Sequence, residues 1–171
     1  WMIRLLIKQY GENLAKKIMS GLNMIPEVSV RVNGMTADYD EVFEKLEELG
    51  YENEEGAVCP EAISIKGGKS IETNPLFMDG KITVQDESAM VIAPLLELEE
   101  GMTVIDLCSA PGGKTTHIAE ILQNTGKVLA YDIHEPKLGL IKENCNRLGV
   151  TNVEVKVNDA TKLNSELIAA S

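Results

Sequence analysis

One stretch of the sequence limits the possible folds more than any other. It joins five residues typical of a buried strand, TVIDL (103–107), directly to the turn-forming segment CSAPGGKT (108–115), after which the residue spacing predicts a helix. A glycine-rich turn that opens a helix lets backbone N–H groups approach a bound molecule closely. The stretch therefore predicts a ligand-binding loop at the carboxyl end of a strand in an α/β domain.

The residues around this loop predict how the chain is divided. From residue 87 onward, nearly all-apolar strands alternate with helices, which is typical of parallel βαβ units in a Rossmann-like domain. Residues 26–86 carry alternating, β-branched strands and one helix, which predicts a small α+β subdomain. Residues 1–25 have helical spacing interrupted by Gly11 and predict connector helices. We therefore expect an α/β chain of three parts, 1–25, 26–86 and 87–171.

Within these parts, individual elements are predicted as well. Three strands are expected in the subdomain, at 28–33, 62–66 and 80–86. The acidic segment YENEEG (51–56) is interpreted as part of a solvated surface. An apolar helix is expected from about Glu87 to Leu98, and Pro94 inside it predicts a kink or a break.

Two common phosphate-binding motifs do not fit the loop. The loop lacks the first glycine of a P-loop, and the dinucleotide motif GxGxxG is not found there. Asp132 instead ends the next predicted strand, where a carboxylate can accept both hydroxyls of a ribose. Asp159, after the third strand, is placed either to accept from an adenine amino group or to cap the turn at Thr161. The set favours a nucleoside cofactor, S-adenosylmethionine rather than NAD.

The charge distribution leaves a nucleic-acid partner open. The net charge is −11, but residues 1–34 carry +3 and residues 35–62 carry −9, so the acidity is concentrated in one segment. Five basic residues of the first segment either contact RNA phosphates or lie on solvated helix faces: Arg4, Lys8, Lys16, Lys17 and Arg31. Three widely spaced cysteines and two histidines predict free thiols in a cytoplasmic protein, with neither a disulfide framework nor a metal site.

The loop and three motifs around it resemble those of a known family. CSAPGGKT, with VQDESAM (84–90) before it and YDIHEPKL (131–138) and NDAT (158–161) after it, is similar to the Sun/Fmu family of ribosomal RNA small-subunit methyltransferases. The resemblance runs through essentially the whole chain. It implies an RNA-recognition-like subdomain, the first half of a methyltransferase domain, S-adenosylmethionine as cofactor and 16S-type ribosomal RNA as partner. The positions that it implies for cofactor binding are Cys108, Ser109, Ala110, Pro111, Gly112, Gly113, Lys114, Asp132 and Asp159.

The reaction that the resemblance implies is methylation of cytosine at carbon 5. That carbon is a poor nucleophile until a thiolate adds to carbon 6 and forms an enamine. The family supplies the thiolate from a Thr-Cys motif and assists release with a Pro-Cys motif, and the 171 residues contain neither. We therefore expect the full-length protein to be an RNA (cytosine-5) methyltransferase and this chain to be an inactive fragment without catalytic residues. Family topology places a fourth strand beside TVIDL, so we also expect self-association through that exposed edge.

Some residues keep two interpretations at this stage. Cys108 is either a reactive thiol at a helix N-terminus or a small residue whose backbone lines the site. Lys114 either contacts the cofactor's carboxylate or caps the loop. Gln85 and Asp86 either organise the loop or cap the following helix, and we favour the cap. The two histidines are interpreted as solvated or packing side chains.

Two other functional classes stay open alongside the methyltransferase. A non-catalytic RNA-binding or interaction module could keep this scaffold, and cofactor binding would distinguish it from an enzyme. A methyltransferase of small molecules is disfavoured by residues 28–86, because a small substrate needs no separate strand-rich subdomain.

Overall fold

The computed structural model describes residues 1–24 and 28–162, and it confirms the expected mixed α/β architecture. The helices are α1 (Met2–Leu22), α2 (Tyr39–Glu48), α3 (Pro75–Met78), α4 (Glu87–Met90), α5 (Gly113–Ile121) and α6 (Leu138–Leu148). The strands are β1 (Val28–Val32), β2 (Tyr51–Glu55), β3 (Ala62–Gly67), β4 (Ile82–Val84), β5 (Thr103–Asp106), β6 (Lys127–Asp132) and β7 (Val153–Val157). The boundary predicted between residues 25 and 26 lies outside the described residues. Residues 163–171 of the predicted third part, 87–171, also lie outside them.

The first helix, α1, is interrupted at Gly11 as its sequence predicts. Gly11 has φ 74° and ψ 165°, which lies outside the helical region and is tolerated because glycine has no Cβ. Ala15 is buried, whereas the basic side chains of the helix are exposed: Arg4, Lys8, Lys16 and Lys17. Lys16 forms a surface ion pair with Glu12 at 2.8 Å. These basic groups therefore face solvent, in line with one of their two interpretations.

Residues 28–84 form a four-stranded antiparallel sheet in the order β2-β3-β1-β4. The carboxylate of Asp38 caps α2 by accepting from the backbone N–H groups of Asp40 and Glu41, at 2.9 and 3.2 Å. The apolar face of α2 packs on the sheet, and the core that they share contains Val30, Val32, Val42, Leu46, Ile63, Ile65 and Ile82. Alternate residues of the strands build this core, as the period of two predicts.

The strand β2 is the element of this sheet that sequence reasoning missed. The acidic segment that was interpreted as a solvated surface is a strand at the edge of the sheet, paired with β3 through Tyr51 and Gly67 at one end and Glu55 and Ile63 at the other. Glu and Asn are rare in strands, so composition argued against the assignment. Charged side chains are nonetheless common on edge strands, because they discourage pairing with other chains.

The second sheet is parallel, with the strand order β5-β6-β7. The helices α5 and α6 contribute to a single core with the middle strand, and its buried members include Ile118, Ala119, Leu122, Val128, Ala130, Ile141, Cys145 and Leu148. Within the described residues, β5 pairs with β6 alone and forms an edge of the sheet. Because the strands are parallel, their carboxyl ends meet at one edge, which is where ligands bind in such sheets.

The predicted helix from Glu87 to Leu98 is wrong as a continuous element. The α-helix stops at Met90, and a single 3₁₀ turn, Pro94–Leu96, follows. Proline has no N–H to donate and its ring clashes with the preceding turn of a helix. The helix is therefore broken before Pro94, and this break was predicted. Glu97 then takes a left-handed conformation with φ 50°, which ends the 3₁₀ turn.

The two sheets are joined by a buried side chain, Asn33, and a half-buried one, Arg147, that bond to backbone of the other unit. The amide of Asn33, just after β1, donates to the carbonyls of Gly80 and Leu148, at 3.0 and 2.9 Å. The guanidinium of Arg147 in α6 donates to the carbonyls of Phe77 and Ile82, at 2.8 and 2.9 Å, and lies 3.8 Å from the centre of the Phe77 ring. The relative position of the units is therefore set by directional bonds as well as by packing.

Candidate functional site

The loop between β5 and α5 is held by the acid that ends the strand. One carboxylate oxygen of Asp106 accepts from the backbone N–H of Cys108 at 3.2 Å, and the other accepts from the hydroxyl of Thr115 at 2.7 Å. A single side chain thus joins the start of the loop to the first turn of the helix. Asp106 belongs to the predicted strand TVIDL, and the sequence analysis did not single it out as a site residue.

The middle of the loop is bonded to the end of β6. The backbone N–H and the hydroxyl of Ser109 both donate to the carbonyl of Tyr131, at 2.9 and 2.8 Å. The N–H of Ala110 donates to a carboxylate oxygen of Asp132 at 3.2 Å. The Ser109 side chain is buried and engaged within the protein, so its part in the predicted site is to shape the loop.

Gly112 makes the turn into α5 possible. Its φ of +111° is a conformation that residues with a Cβ rarely adopt. A Cβ at this position would also lie 3.3 Å from the Cα of Ile141 in α6. The preceding Ala110–Pro111 peptide bond is cis, and the Pro111 carbonyl accepts from the Asn144 amide at 3.0 Å. The glycine of the motif is therefore required both by backbone conformation and by the approach of α6.

Asp132 lies at the carboxyl end of β6, directly beside this loop. Its two carboxylate oxygens accept from the N–H groups of His134 and Ala110, at 2.9 and 3.2 Å. The hydrogen bond from the His134 N–H is the largest cause that lowers the pKa of Asp132 below its usual value, and the bond from Ala110 acts in the same direction. The group is therefore an anion at neutral pH, and each oxygen keeps a lone pair that can accept from a ligand hydroxyl.

Asp159 follows β7 at the same edge of the sheet. One of its oxygens accepts from both the N–H and the hydroxyl of Thr161, at 3.0 and 2.6 Å, and the other pairs with Lys162 at 3.2 Å. The bonds from Thr161 lower the pKa of Asp159. This is the geometry of the turn cap, one of the two interpretations of Asp159. Its contact with an adenine stays a prediction.

A cavity of about 190 Å³ opens beside the loop, between the loop and the segment after β4. Its lining comprises Val84, Gln85, Ala89, Cys108, Ser109, Ala110, Pro111, Gly113 and Lys114. Most of the predicted loop residues thus meet at one concave surface. The side chains of Cys108 and Lys114 are exposed there, whereas the thiols of Cys59 and Cys145 are buried.

Arg31 is the residue that sequence reasoning placed wrongly. The sequence analysis predicted that its side chain either contacts RNA phosphates or lies on a solvated face, but the side chain is fully buried. The alternation of β1 does point Arg31 away from the Val30 core, but that second face of the sheet packs against α5. There Arg31 forms an ion pair with Glu120 at 2.6 Å. Burial lowers the pKa of Arg31, and the carboxylate of Glu120 opposes that shift.

The residues after β4 divide between the two roles considered for them. Asp86 caps α4, since its carboxylate accepts from the N–H of Ser88 at 2.9 Å. Gln85 is buried, accepts a hydrogen bond from Arg31 and lines the cavity beside the loop. The favoured cap is thus confirmed for Asp86 alone.

His117, one of the two histidines, is a buried packing residue on α5. Its Nε2 lies 3.1 Å from a carboxylate oxygen of Glu61, and the side chain borders a second cavity, of about 450 Å³. Burial, followed by the positive charge of Arg31, lowers the pKa of His117 to about 3. The imidazole is therefore neutral at physiological pH.

The buried His117 predicts a loss of stability in mild acid. The unfolded chain takes up this proton below a pH of about 6.5, whereas the folded chain does so only near pH 3, so the proton favours unfolding between these values. Each pH unit in this window should remove up to about 1.4 kcal/mol of unfolding free energy. Urea denaturation at pH 7, 6 and 5 would show a flatter dependence for His117→Gln. The exposed His134→Gln variant is the control and should follow the wild type; equal slopes for all three proteins would contradict the prediction.

In residues 1–24 and 28–162, none of the helices is long and apolar enough to cross a membrane. The same residues bring together no group of three or more histidine, cysteine, aspartate and glutamate side chains arranged to hold a metal ion.

Comparison with known proteins assigns both parts of the chain. Residues 1–72 match the ferredoxin-like domain of RsmF/B-like methyltransferases, and residues 93–170 match the 16S rRNA methyltransferase RsmB/F model. A probable ribosomal RNA small subunit methyltransferase B of Bacillus subtilis is 37% identical over 162 residues, which cover 95% of this chain and 36% of the relative. The ribosomal RNA small subunit methyltransferase B of Klebsiella pneumoniae is 36% identical over 159 residues, covering 93% and 36%. The chain thus spans little more than a third of the length of these relatives.

Solved structures show the same architecture. The crystal structure of PH0851 superposes with a TM-score of 0.91 at 36% identity, over 98% of this chain and 38% of the other. A methyltransferase homolog protein from Pyrococcus horikoshii gives a TM-score of 0.82 at 28% identity, over 88% and 50%. The arrangement of a ferredoxin-like sheet before a parallel sheet is therefore shared with both.

Proposed function

Because the chain belongs to the RsmB/F family of 16S rRNA methyltransferases, we propose that the whole protein methylates carbon 5 of a cytosine in small-subunit ribosomal RNA, with S-adenosylmethionine as methyl donor. The part described here would hold the donor at the carboxyl edge of its parallel sheet. The first sheet and the exposed basic residues of α1 would face the RNA.

The observation that carries the proposal is the pairing of Asp132 with the glycine-containing loop. The carboxylate accepts from the N–H of Ala110, and Ala110 lines the cavity of about 190 Å³, so the acid is bonded to the wall of that cavity. A site for a dinucleotide would need glycines at a different spacing, and a P-loop ending in Gly113-Lys114-Thr115 would need a glycine at residue 108, which is Cys. A nucleoside with a short, charged tail fits this combination of groups best.

The residues present fit that cofactor. The free lone pairs of Asp132 would accept the two ribose hydroxyls, and the exposed ammonium of Lys114 would meet a carboxylate. The loop backbone would lie along the methionine portion, and Asp159 would lie near the base. Bound S-adenosylmethionine supplies an electrophilic methyl carbon; the residues of this chain bind it and orient it toward the RNA.

The choice of cytosine carbon 5 rests on the motifs shared with the family. That chemistry needs a thiolate to add to the base, and the family positions it by Thr-Cys and Pro-Cys motifs that the 171 residues do not contain. Cys108 is preceded by Leu107 and belongs to the cofactor loop, while Cys59 and Cys145 are buried with raised pKa values, to about 11 for Cys145. We therefore propose that this chain by itself binds the cofactor and does not transfer the methyl group.

Calorimetry with S-adenosylmethionine tests the cofactor site. We expect saturable 1:1 binding, and we expect the bound cofactor to slow labelling of Cys108 by a thiol reagent at pH 8, because that thiol lies in the lining of the cavity. The Cys108→Ser variant should bind the cofactor and lose the rapidly labelled thiol. Absence of binding would favour the alternative, a non-catalytic RNA-binding module on this scaffold.

A methylation assay tests the second half of the proposal. Purified chain, small-subunit ribosomal RNA and a donor with a labelled methyl group should give no labelled RNA. Labelled 5-methylcytosine in the digested RNA would overturn the proposal that the chain is inactive by itself. A small molecule labelled in place of RNA would instead favour the small-molecule methyltransferase.

The edge strand β5 predicts self-association of the purified chain. Within the described residues it pairs on one side only, and its Val104 and Ile105 are half-buried, so an apolar strand edge is open to another molecule. We expect light scattering to show a mass that rises with protein concentration. An Ile105→Lys substitution should reduce that rise, and a monodisperse monomer at every concentration would contradict the prediction.

A further inference from the structure

Arg31 makes more bonds to the other unit than an interface ion pair requires. It belongs to β1 of the first sheet and its side chain is fully buried. The guanidinium donates to four acceptors, and three of them lie on α5. They are Gln85 Oε1, the Gly113 carbonyl at 3.0 Å, Thr116 Oγ1 at 3.3 Å and Glu120 Oε1 at 2.6 Å.

Two of the four acceptors are walls of the candidate cofactor site. Gln85 and Gly113 both line the cavity beside the loop, and the Nη1 nitrogen of Arg31 donates to both. The two walls are close, since a Cβ at Gly113 would lie 3.6 Å from the Gln85 side-chain carbonyl carbon. One nitrogen atom therefore sets the separation between the end of the loop and the segment after β4.

The other nitrogen holds the guanidinium in place. Nη2 forms the ion pair with Glu120 and donates to the hydroxyl of Thr116, which itself donates to the Gly113 carbonyl at 3.2 Å. A planar guanidinium can serve these acceptors on two sides at once. The ammonium of a lysine is a point donor and cannot reach both Glu120 and the cavity walls from one position.

Buried ion pairs are weak contributors to stability, because desolvation offsets their attraction. Stability alone is therefore a poor explanation for a fully buried arginine with this set of partners. Its contacts instead link the placement of β1 to the shape of the loop.

We propose that Arg31 is a positioning residue for the cofactor site: from the ferredoxin-like sheet it fixes the distance between Gln85 and Gly113, and so the shape of the cavity that receives the donor. The inference rests on the proposed function, because the ligand is the proposed cofactor. This role of Arg31 makes the affinity for S-adenosylmethionine depend on how the first sheet packs against α5.

Two arginine-to-lysine variants test this role. Arg31→Lys keeps the charge beside Glu120 and loses the contact with the cavity walls. Arg147→Lys is the matched control, because Arg147 also bonds backbone carbonyls across the two units, at Phe77 and Ile82. Its link to the loop is indirect and runs through Asn144, whose amide donates to the Pro111 carbonyl. Calorimetry measures the dissociation constant for S-adenosylmethionine, and hydrogen exchange without any ligand measures the protection of residues 107–116.

For Arg31→Lys we expect cofactor binding about tenfold weaker or more, since hydrogen bonds to a charged group are lost. We also expect faster exchange in residues 107–116 with unchanged exchange in β6. Arg147→Lys should bind within about twofold of the wild type and keep the loop protected. Wild-type affinity and wild-type loop exchange in folded Arg31→Lys would overturn the proposal, as would equal losses in both variants.

If Arg31→Lys does not fold, Thr116→Val takes its place. It removes an acceptor of Arg31 and a donor to Gly113 without changing the cavity lining, and we expect binding weakened about threefold. Unchanged binding and exchange in this variant would also overturn the proposal. Failure of the wild type to bind S-adenosylmethionine would instead contradict the proposed function, and hydrogen exchange in the loop would still decide whether Arg31 positions it.

Discussion

Replacement of Asp132 by alanine is expected to weaken the binding of S-adenosylmethionine by about two orders of magnitude. The carboxylate would accept the two ribose hydroxyls, and hydrogen bonds to a charged group contribute about 1.5 kcal/mol or more each. Two such bonds correspond to a change of about hundredfold in the dissociation constant. The variant also loses the acceptor for the Ala110 N–H, which loosens the loop in the same direction. Calorimetry at pH 7 measures the change.

Asp38→Ala is the control for this variant. Asp38 likewise accepts from two backbone N–H groups, but it caps α2 in the first sheet. Its loss should cost about 1 kcal/mol of stability and leave cofactor affinity unchanged. Asp132→Asn keeps one oxygen acceptor and should fall between the alanine variant and the wild type. Equal affinity of wild type and Asp132→Ala would remove Asp132 from the site.

Substitution of Gly80 by alanine is expected to have the largest effect on stability. A Cβ at Gly80 would lie 1.9 Å from the backbone carbonyl oxygen of Arg147, so α6 and the turn before β4 would have to move apart. The glycine also has a φ of +70°, which an alanine tolerates at a cost of about 1 to 2 kcal/mol. With the overlap added, we expect a loss of roughly 4 kcal/mol or more in the free energy of unfolding.

Gly149→Ala separates the two causes. Gly149 has nearly the same φ, +71°, and no atom lies within 4 Å of the position that its Cβ would take. This variant should therefore lose only the conformational part, about 1 to 2 kcal/mol. Urea denaturation of both variants beside the wild type gives the difference. If the two alanine variants were equally stable, the close approach of the units at Gly80 would not be present in solution.

The elements that sequence reasoning predicted well are those with a strong local pattern. The apolar strands of the second sheet, the capped helix α2 and the turn at Gly112 each follow from residues adjacent in the chain. The helix that begins at Glu87 also ends before Pro94, as expected for a proline inside an apolar run. In each of these cases the physical cause lies within a few residues, and no distant partner has to be known.

In the predictions that failed, the physical cause lies in a distant part of the chain. The strand β2 is held by its pairing with β3, although its acidic residues have low strand propensity, so a distant partner decided its structure. Arg31 was placed at the surface because arginine is rarely buried, and only the packing of α5 on β1 shows that Glu120 compensates its charge.

The strand-rich first part, the parallel sheet and the position of the loop after TVIDL could be read from the order of residues, because strand and helix periods, caps and glycine turns are local properties of a chain. The family followed from the resemblance of the loop and three neighbouring motifs to known sequences. The loop motif also led to Asp132, since parallel strands bring their ends together at one edge. The tertiary structure alone decided which groups support the loop from the side of the first sheet. Arg31, Gln85 and Glu120 are far apart in sequence, and the directional bonds that join them exist only once the two sheets have packed.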